Sequence, residues 1–474
     1  MQSVIDILNS LGSACVKGWG DLDSWIVITA ALAAIACSIP GSFLVLRRQS
    51  MMGDALTHTV LPGIVAAFLL SHYLKTSGWI STSELDTHTA FDATSYAMMF
   101  SGAVLIGALT AVLTEWVRRQ GRVESSAALG VVYTTLFAVG LLMIRLAADS
   151  VHIDPDCVLY GNIETVWYGP GHVPRAAWVG LGVLLFNIIL VICFFKELRI
   201  STFDPALATS LGINASWIHY ALMAVTAVTA VAAFESVGNI LVVAMLIVPP
   251  ATAHLLTDRL WPMLVISGVV ATASAAIGHA MAMVLPPLLM APFADQPLLR
   301  GVDIENLDAS TSGMMAVTSG GLFLLALLLG PRHGLLIRLV HRLRLSVRIA
   351  AEDLLGVLYR QIEAAPRPDL DQSSRHRSRI QRFAAWQLRR RGLISGPSSQ
   401  PVLTESGRDA AVQLVRAHRL WESYMARHFD VPGDHLHEAA HRVEHFLDPE
   451  LRDQIADELD GPQTDPHGRD IPGG

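Results

Sequence analysis

"GSFLVLRRQSMMGDALTHTVLPGI", residues 41–64, closes one apolar run, turns on a basic pair and opens another. About 20 apolar residues are needed to cross a bilayer core as a helix, so the stretch reads as the turn between two membrane spans. Comparable runs occupy 24–46, 54–74, 97–117, 127–147, 175–195, 217–236, 238–257, 261–285 and 313–330. Nine such runs predict an all-α polytopic membrane protein. The second run carries Asp54 and His58, four apart and therefore on one helix face. A carboxylate and an imidazole at that spacing can share a divalent cation. Ionisable groups inside apolar spans are expensive and generally line a polar pathway. The plainer alternative is a hydrogen-bonded pair that only positions the span.

Composition divides the chain in two. Of 474 residues 52% are hydrophobic and 16% charged, against about 25% charged in soluble proteins. Apolar runs fill 24–330, whereas 331–474 is crowded with Arg, Asp, Glu and His, so the net charge of −7 describes neither part. Four scattered cysteines (Cys15, Cys37, Cys157, Cys193) suggest neither a disulfide framework nor a thiolate zinc site. Residues 1–23 lack the basic start of a signal peptide and read as an interfacial segment. Basic residues follow alternate spans: Arg47 and Arg48, Arg118 and Arg119, Lys196 and Arg199, Arg259, then Arg332 and Arg338. By the positive-inside rule this places the N-terminus outside and the tail in the cytoplasm.

The only lysines are Lys17, Lys75 and Lys196, and none belongs to a phosphate-binding G-x-x-x-x-G-K-[ST] loop. ATP-driven work would need a separate ATPase chain. Glu235, His254 and His279 lie in or near spans, where a lone histidine reads first as a bonded packing residue. Asp154 and Asp156 fall in an outer loop, where they attract cations or cap a helix. In "STFDPALATSLGINASW" (201–217), Asp204 and Pro205 mark a helix start. Ala206, Ala208 and Gly212 leave a small-residue side that another protein could approach, or simply an ordinary connection.

"GSFLVLRRQSMMGDALTHTVLPGI", "DPDCVLYG", "KELRISTFDPALATSLGI" and "VGNILVVAMLIVPPATAHLL" together resemble the permease subunits of bacterial manganese, zinc and iron ABC importers. The resemblance covers most of 24–330. It implies a dimeric permease of the bacterial inner membrane, with a second permease subunit in a homodimer or heterodimer. It also implies an extracytoplasmic metal-binding protein and a cytoplasmic ATPase docked around Asp204, Pro205, Ala208 and Gly212. Asp54 and His58 fall on the family's motif in the second span. The loop within 282–307 is longer than the family leads one to expect.

From Pro331 the chain is polar: an amphipathic basic helix and a Pro-containing linker over 331–377, then a mainly helical domain over 378–474. His418 and Glu422 are four apart, and His437, His441, Glu444 and His445 follow at i, i+4, i+7 and i+8. Each set lies on one helical face, with apolar neighbours to pack through. If the helices pack together, five or six N/O ligands converge, a set suited to Mn²⁺, Fe²⁺ or Zn²⁺ and leaning to the first two. A solvated histidine-rich face is the alternative.

"EDLLGVLY", "LRRRGLI", "LTESGRDAAVQLVRAHRLWE", "HEAAHRVEH" and "TDPHGRDIP" resemble metal-dependent repressors of the diphtheria toxin repressor type. That resemblance implies an ancillary site of His418, Glu422 and His437. It implies a primary site of Asp353, His441, Glu444 and His445, with His441 replacing the usual residue. Gly356 stands where manganese-sensing members are acidic. The segment 365–378 is too short and Pro-broken for a full helix-turn-helix, so DNA binding is not expected.

The expected protein is a non-enzymatic permease subunit of a divalent-metal importer, using ATP only through its partner, with a tail that senses metal. The competing readings are a membrane-anchored metal-responsive regulator and an ATP-independent metal transporter.

Overall fold

The computed structural model describes residues 19–77, 93–147, 163–166, 173–290, 309–331, 334–363, 379–397, 400–429 and 432–473. Asp154, Asp156, Cys157, the outer-loop stretch 291–307 and most of the linker fall outside them, as does the side chain of Glu235. The chain forms two compact units, Met1–Leu335 and Leu336–Gly474.

The first unit is a bundle of α1 (Asp21–Leu46), α2 (Met51–Thr76), α3 (Ala93–Gly121), α4 (Ser125–Ala147), α5 (Arg175–Cys193), the short α6 (Phe195–Phe203) and α7 (Pro205–Ser210), α8 (Ala215–Leu256), α9 (Leu260–Met290) and α10 (Thr311–Leu329). Nine stretches among the described residues are long and apolar enough to cross a membrane. The sixth and seventh of these lie in the single trace α8, which breaks at Gly238 (φ 77°, ψ 167°), a conformation essentially reserved for glycine. α1 is the hub: Ala30, Ala33 and Cys37 pack with Leu241 and Leu246 of α8, Ala275 of α9 and Met315 of α10. The peripheral helices turn apolar side chains outward, among them Leu142 and Leu146 of α4 and Ile189 and Ile192 of α5. Such a surface suits hydrocarbon, where small residues rather than burial from water bring helices together. Gly63 of α2 and Gly102 of α3 meet so closely that a Cβ on either would run into the other's carbonyl oxygen.

The second unit begins with α11 (Leu335–Glu363), the helix expected as part of a connection. Its Ala351, Leu355 and Leu358 instead join Leu388 of α12 (Arg379–Arg390), Ile394 and Ala411 in a core. A two-stranded antiparallel hairpin follows, pairing Ile394 with Leu403. α13 (Glu405–His428) starts on Thr404, whose hydroxyl accepts from Gly407 N and donates to Gly392 O, tying helix start to hairpin. α14 (Gly433–Val443), a 3₁₀ turn (Glu444–Phe446) and α15 (Pro449–Glu458) complete the unit around Leu420, Leu447 and Ile455.

Replacing Gly63 by Val should lower the stability of the detergent-solubilised protein by about 2 kcal/mol or more, since the carbonyl it meets belongs to rigid helix backbone. Gly182→Val, placed in open space, is the control. Equal melting temperatures for the two variants would contradict the close α2–α3 contact.

Candidate metal centres

Asp54 lies in the first turn of α2 and His58 one turn on, with Nε2 3.5 Å from Oδ1. Each side chain is about a third exposed, at 36% and 35%. The His58 ring meets Phe137 edge-on and Tyr133 at a tilt. The pair has the geometry of two ligands of a shared ion, and other groups would have to complete the shell. His254 is exposed, whereas His279 is 4% exposed and bonded through both ring nitrogens, to Asp23 and Thr311, each at 3.1 Å. His279 therefore packs as a bonded residue.

The loop helix α7 is capped by Asp204, whose Oδ1 accepts from Leu207 N at 2.9 Å, with Pro205 in its first turn. It ends in a Schellman turn: Ile213 N bonds Ala208 O, Gly212 N bonds Thr209 O, and Gly212 takes φ 80°. Ala208, expected on the open side, is fully buried. Asp204, Pro205 and Gly212 are exposed as expected, and Leu207 and Leu211 are the large apolar side chains exposed beside them.

The tail's ligand-type residues come together as two adjacent clusters rather than one convergence. In the first, His418 Nε2, Glu422 Oε1 and His437 Nδ1 lie 2.9–3.0 Å from one another. α13 sets His418 and Glu422 one turn apart, and α14 brings His437 across. In the second, Asp353, His441, Glu444 and His445 offer one atom each, all within 4.8 Å of one another. The helical face expected over 437–445 is split between the clusters. α14 ends at Val443, and the following 3₁₀ turn swings Glu444 and His445 inward to 3% and 6% exposure.

Glu444 joins the two clusters. Its Oε2 lies 2.6 Å from His418 Nδ1 and its Oε1 3.0 Å from His441 Nδ1. His418 is thereby oriented by a carboxylate on one nitrogen while the other faces Glu422 and His437. That carboxylate–imidazole relay is the common support of a metal-binding histidine. The second cluster repeats it: Glu352 Oε2 sits 2.8 Å from His445 Nδ1, leaving Nε2 to face Asp353 Oδ1 at 3.2 Å. Asp353 Oδ1 and His445 Nε2 are buried atoms that meet as an ion pair without an aligned hydrogen bond. Buried polar atoms are normally satisfied, so two facing each other mark a place for a cation. The residues present thus fit a divalent ion, and the all-N/O donor set suits Mn²⁺, Fe²⁺ or Zn²⁺.

Glu352 escaped the sequence reading because adjacent helical residues point about 100° apart and do not share a face. Only the two-sidedness of an imidazole lets Glu352 and Asp353 serve one histidine. A third network is structural: Arg419, 3% exposed, reaches Glu363 at the end of α11 and the Asp470 carbonyl in the C-terminal segment.

Without metal, the charges hold one another. Burial alone would raise the Glu422 carboxyl, but His418 and then His437 bring it down to about 2. Asp353 and then Glu352 raise His445 to about 9, against burial. His418 is also raised, Glu422 and Glu444 outweighing its burial. Glu422 therefore adds stability above its usual 4.5, lost as pH falls toward about 2. His445 adds stability below its usual 6.5, lost as pH rises through about 9. The metal-free tail should melt highest between those usual values, in a chelator-treated pH series followed by tryptophan fluorescence; a flat profile from pH 5 to about 9 would contradict these couplings.

Residues 22–289 match the family described as "ABC 3 transport family", and residues 404–473 match "Iron dependent repressor, metal binding and dimerisation domain". The chain is 38% identical over 330 residues to the manganese transport system membrane protein MntD of Bacillus subtilis, covering 68% of this chain and 97% of that one. It is 35% identical over 398 residues to the zinc transport system membrane protein TroD of Treponema pallidum, covering 81% and 96%. A probable metal transport system membrane protein of Chlamydia trachomatis aligns over 95% of this chain and 96% of its own length, at 25% identity.

Proposed function

The chain belongs to the ABC 3 transport family, and on that premise we propose that it is the permease subunit of an ATP-driven importer of a divalent transition-metal ion, with a tail that senses the same metal. It is a multi-pass membrane protein of a transport class rather than of an enzyme class. The observation that carries the metal reading is the second tail cluster, where four ligand atoms lie within 4.8 Å of one another and two of them, buried, meet without an aligned hydrogen bond. The relatives' names support it: one is a manganese and another a zinc transport protein. The donor set, four imidazoles and three carboxylates without a thiolate, suits Mn²⁺, Fe²⁺ or Zn²⁺.

The permease works with a second permease subunit, an extracytoplasmic metal-binding protein and a cytoplasmic ATPase. Metal delivered from outside passes Asp54 and His58 and is released inward when the ATPase acts on α7. Leu207 and Leu211, exposed beside Gly212, form its contact surface.

Alternate basic loops put the tail in the cytoplasm. Asp353, His441, Glu444 and His445 would hold one ion, and His418, Glu422 and His437 another. Bound there, an ion supplies the positive charge that these buried carboxylates otherwise draw from protonated imidazoles. Asp353 belongs to α11 and Glu444 to the turn after α14, so shared ligation ties the two elements. That tie would dimerise or reposition the tail and slow uptake in a metal-replete cell.

Asp54→Asn and His58→Ala should each lower Mn²⁺ uptake by cells at least about tenfold while leaving Mn²⁺ binding by the tail intact. Undiminished uptake in both variants would remove the pair from the pathway, and uptake without any ATPase would favour the ATP-independent reading. Calorimetry of the purified chain should show saturable Mn²⁺ binding that disappears in a Glu444→Ala, His445→Ala double variant. Because His445 is protonated up to about 9 without metal, binding should release protons and tighten as pH rises toward that value. Binding insensitive to pH, or unaltered in the double variant, would take the metal out of this cluster.

A further inference from the structure

Arg47 ends α1 and places its guanidinium where three elements meet. Nη2 donates to Ser201 Oγ at 2.9 Å and Nε donates to Thr202 Oγ1 at 3.3 Å, both in the last turn of α6. Nη1 lies 3.4 Å from His219 Nδ1, in the first turns of α8. The two hydroxyl residues are buried, at 2% and 8% exposure. Among the described residues no carboxylate pairs with Arg47. Arg118 and Arg119, at another span end, both close on Glu115 at 2.6 Å. A guanidinium fixed by a carboxylate is costly to displace, because each charge is left unpaired. One held by neutral hydroxyls makes charge-assisted bonds but leaves no unpaired countercharge behind when it shifts with its partners.

On one side of this junction stands the loop that carries α7. Asp204 closes α6 through its backbone N–H to Ile200 O and opens α7 through its side chain to Leu207 N, both at 2.9 Å. One residue thus serves both helices, and there is no slack between Ser201, Thr202 and α7. On the other side stands the turn into α2. Arg48 takes φ 57°, unusual for a residue with a side chain. Gln49 N bonds Leu44 O at 2.9 Å and Met52 N bonds Gln49 O at 3.0 Å, so the turn is pinned to both helices. Asp54 follows in the first turn of α2, paired with His58.

We infer that Arg47 is the positioning residue that links movement of α6 and α7 to the Asp54–His58 pair, through Ser201 and Thr202 on one side and the pinned turn 47–50 on the other. The inference rests on the reading of the chain as a metal permease driven by an ATPase at α7. Arg47 touches no transported ion in this arrangement; it acts through the start of α2. A guanidinium that only glued α6 to the bundle would contribute to stability and assembly but not to the ratio of metal moved to ATP consumed.

That ratio is the measurement. The full complex with its ATPase and binding protein is reconstituted in liposomes, and Mn²⁺ entry and ATP hydrolysis are followed together. Arg47→Ala and the double variant Ser201→Ala, Thr202→Val should keep hydrolysis within about twofold of the unaltered complex while Mn²⁺ moved per ATP falls about tenfold, the order expected for two lost hydrogen bonds. Arg47→Lys, which keeps the charge but not the fork, should recover part of the loss. The double variant leaves Arg47 in place, so the idea remains testable if Arg47→Ala does not fold. An unchanged ratio in the double variant would overturn the inference, as would hydrolysis and uptake falling in proportion with complex assembly. Should the unaltered complex move no Mn²⁺ on ATP, the transport reading itself fails, an outcome distinct from a coupled complex indifferent to Arg47.

Discussion

No water reaches a peptide group in the hydrocarbon core, so each N–H and C=O there must be satisfied within the protein. The first unit follows from that constraint. Its crossings are helices, and its irregularities are placed where neighbours cover them. Prolines sit inside α1, α2, α8 and α9. Hydroxyls fold back onto backbone carbonyls, as Thr226 does to Leu222 O at 2.8 Å. Asn187, 1% exposed, crosses from α5 to the Ala36 carbonyl of α1 and to Thr229 of α8, each at 3.0 Å. Polar groups that would be costly toward lipid become ties between helices, as His279 of α9 also does with Asp23 of α1 and Thr311 of α10.

The second unit answers to a different constraint, the cost of burying carboxylates away from water. Glu422 and Glu444 have side chains only 2% exposed, and an isolated charge so placed would not persist. Imidazoles supply the compensation in the metal-free chain, and a divalent ion would supply it more compactly. One carboxylate, Glu444, stands between both clusters, so the electrostatic state of either is felt by the other. The clusters also draw on α11, α13, α14 and the 3₁₀ turn, which makes them the crossing point of the tail's elements as well as of its charges.

Much of this was legible in residue order. The nine apolar runs have the length of a bilayer crossing, and their helices start and stop within a few residues of the expected limits. The pair of runs around Gly238 follows the same rule, the chain breaking there between the sixth and seventh spans. The ligand-type residues on α13 were legible because His418 and Glu422 share a face at helical spacing. Three features were not. Ala208 is buried rather than on the open side of α7. Glu444 and His445 turn away from His437 because α14 tightens to 3₁₀ after Val443. Glu352 is invisible to face-sharing arguments because it reaches the far side of His445, 93 residues away.

By itself, then, the amino-acid order determined what local periodicity and composition can determine: membrane helices, a polar tail, an Asp–His pair within one turn, and ligand-type residues on particular faces. Only tertiary structure decided which of those residues meet. It joined through Glu444 the two ligand sets that the resemblance had implied, brought Glu352 and Asp353 onto one imidazole, and set Arg47 among hydroxyls of α6 rather than against a carboxylate. The physical reason is range. Helix periodicity and the cost of an unbonded peptide act over a few residues, whereas hydrogen bonds and charge pairing depend on separations of about 3 Å between atoms that the chain brings together only once its helices have packed.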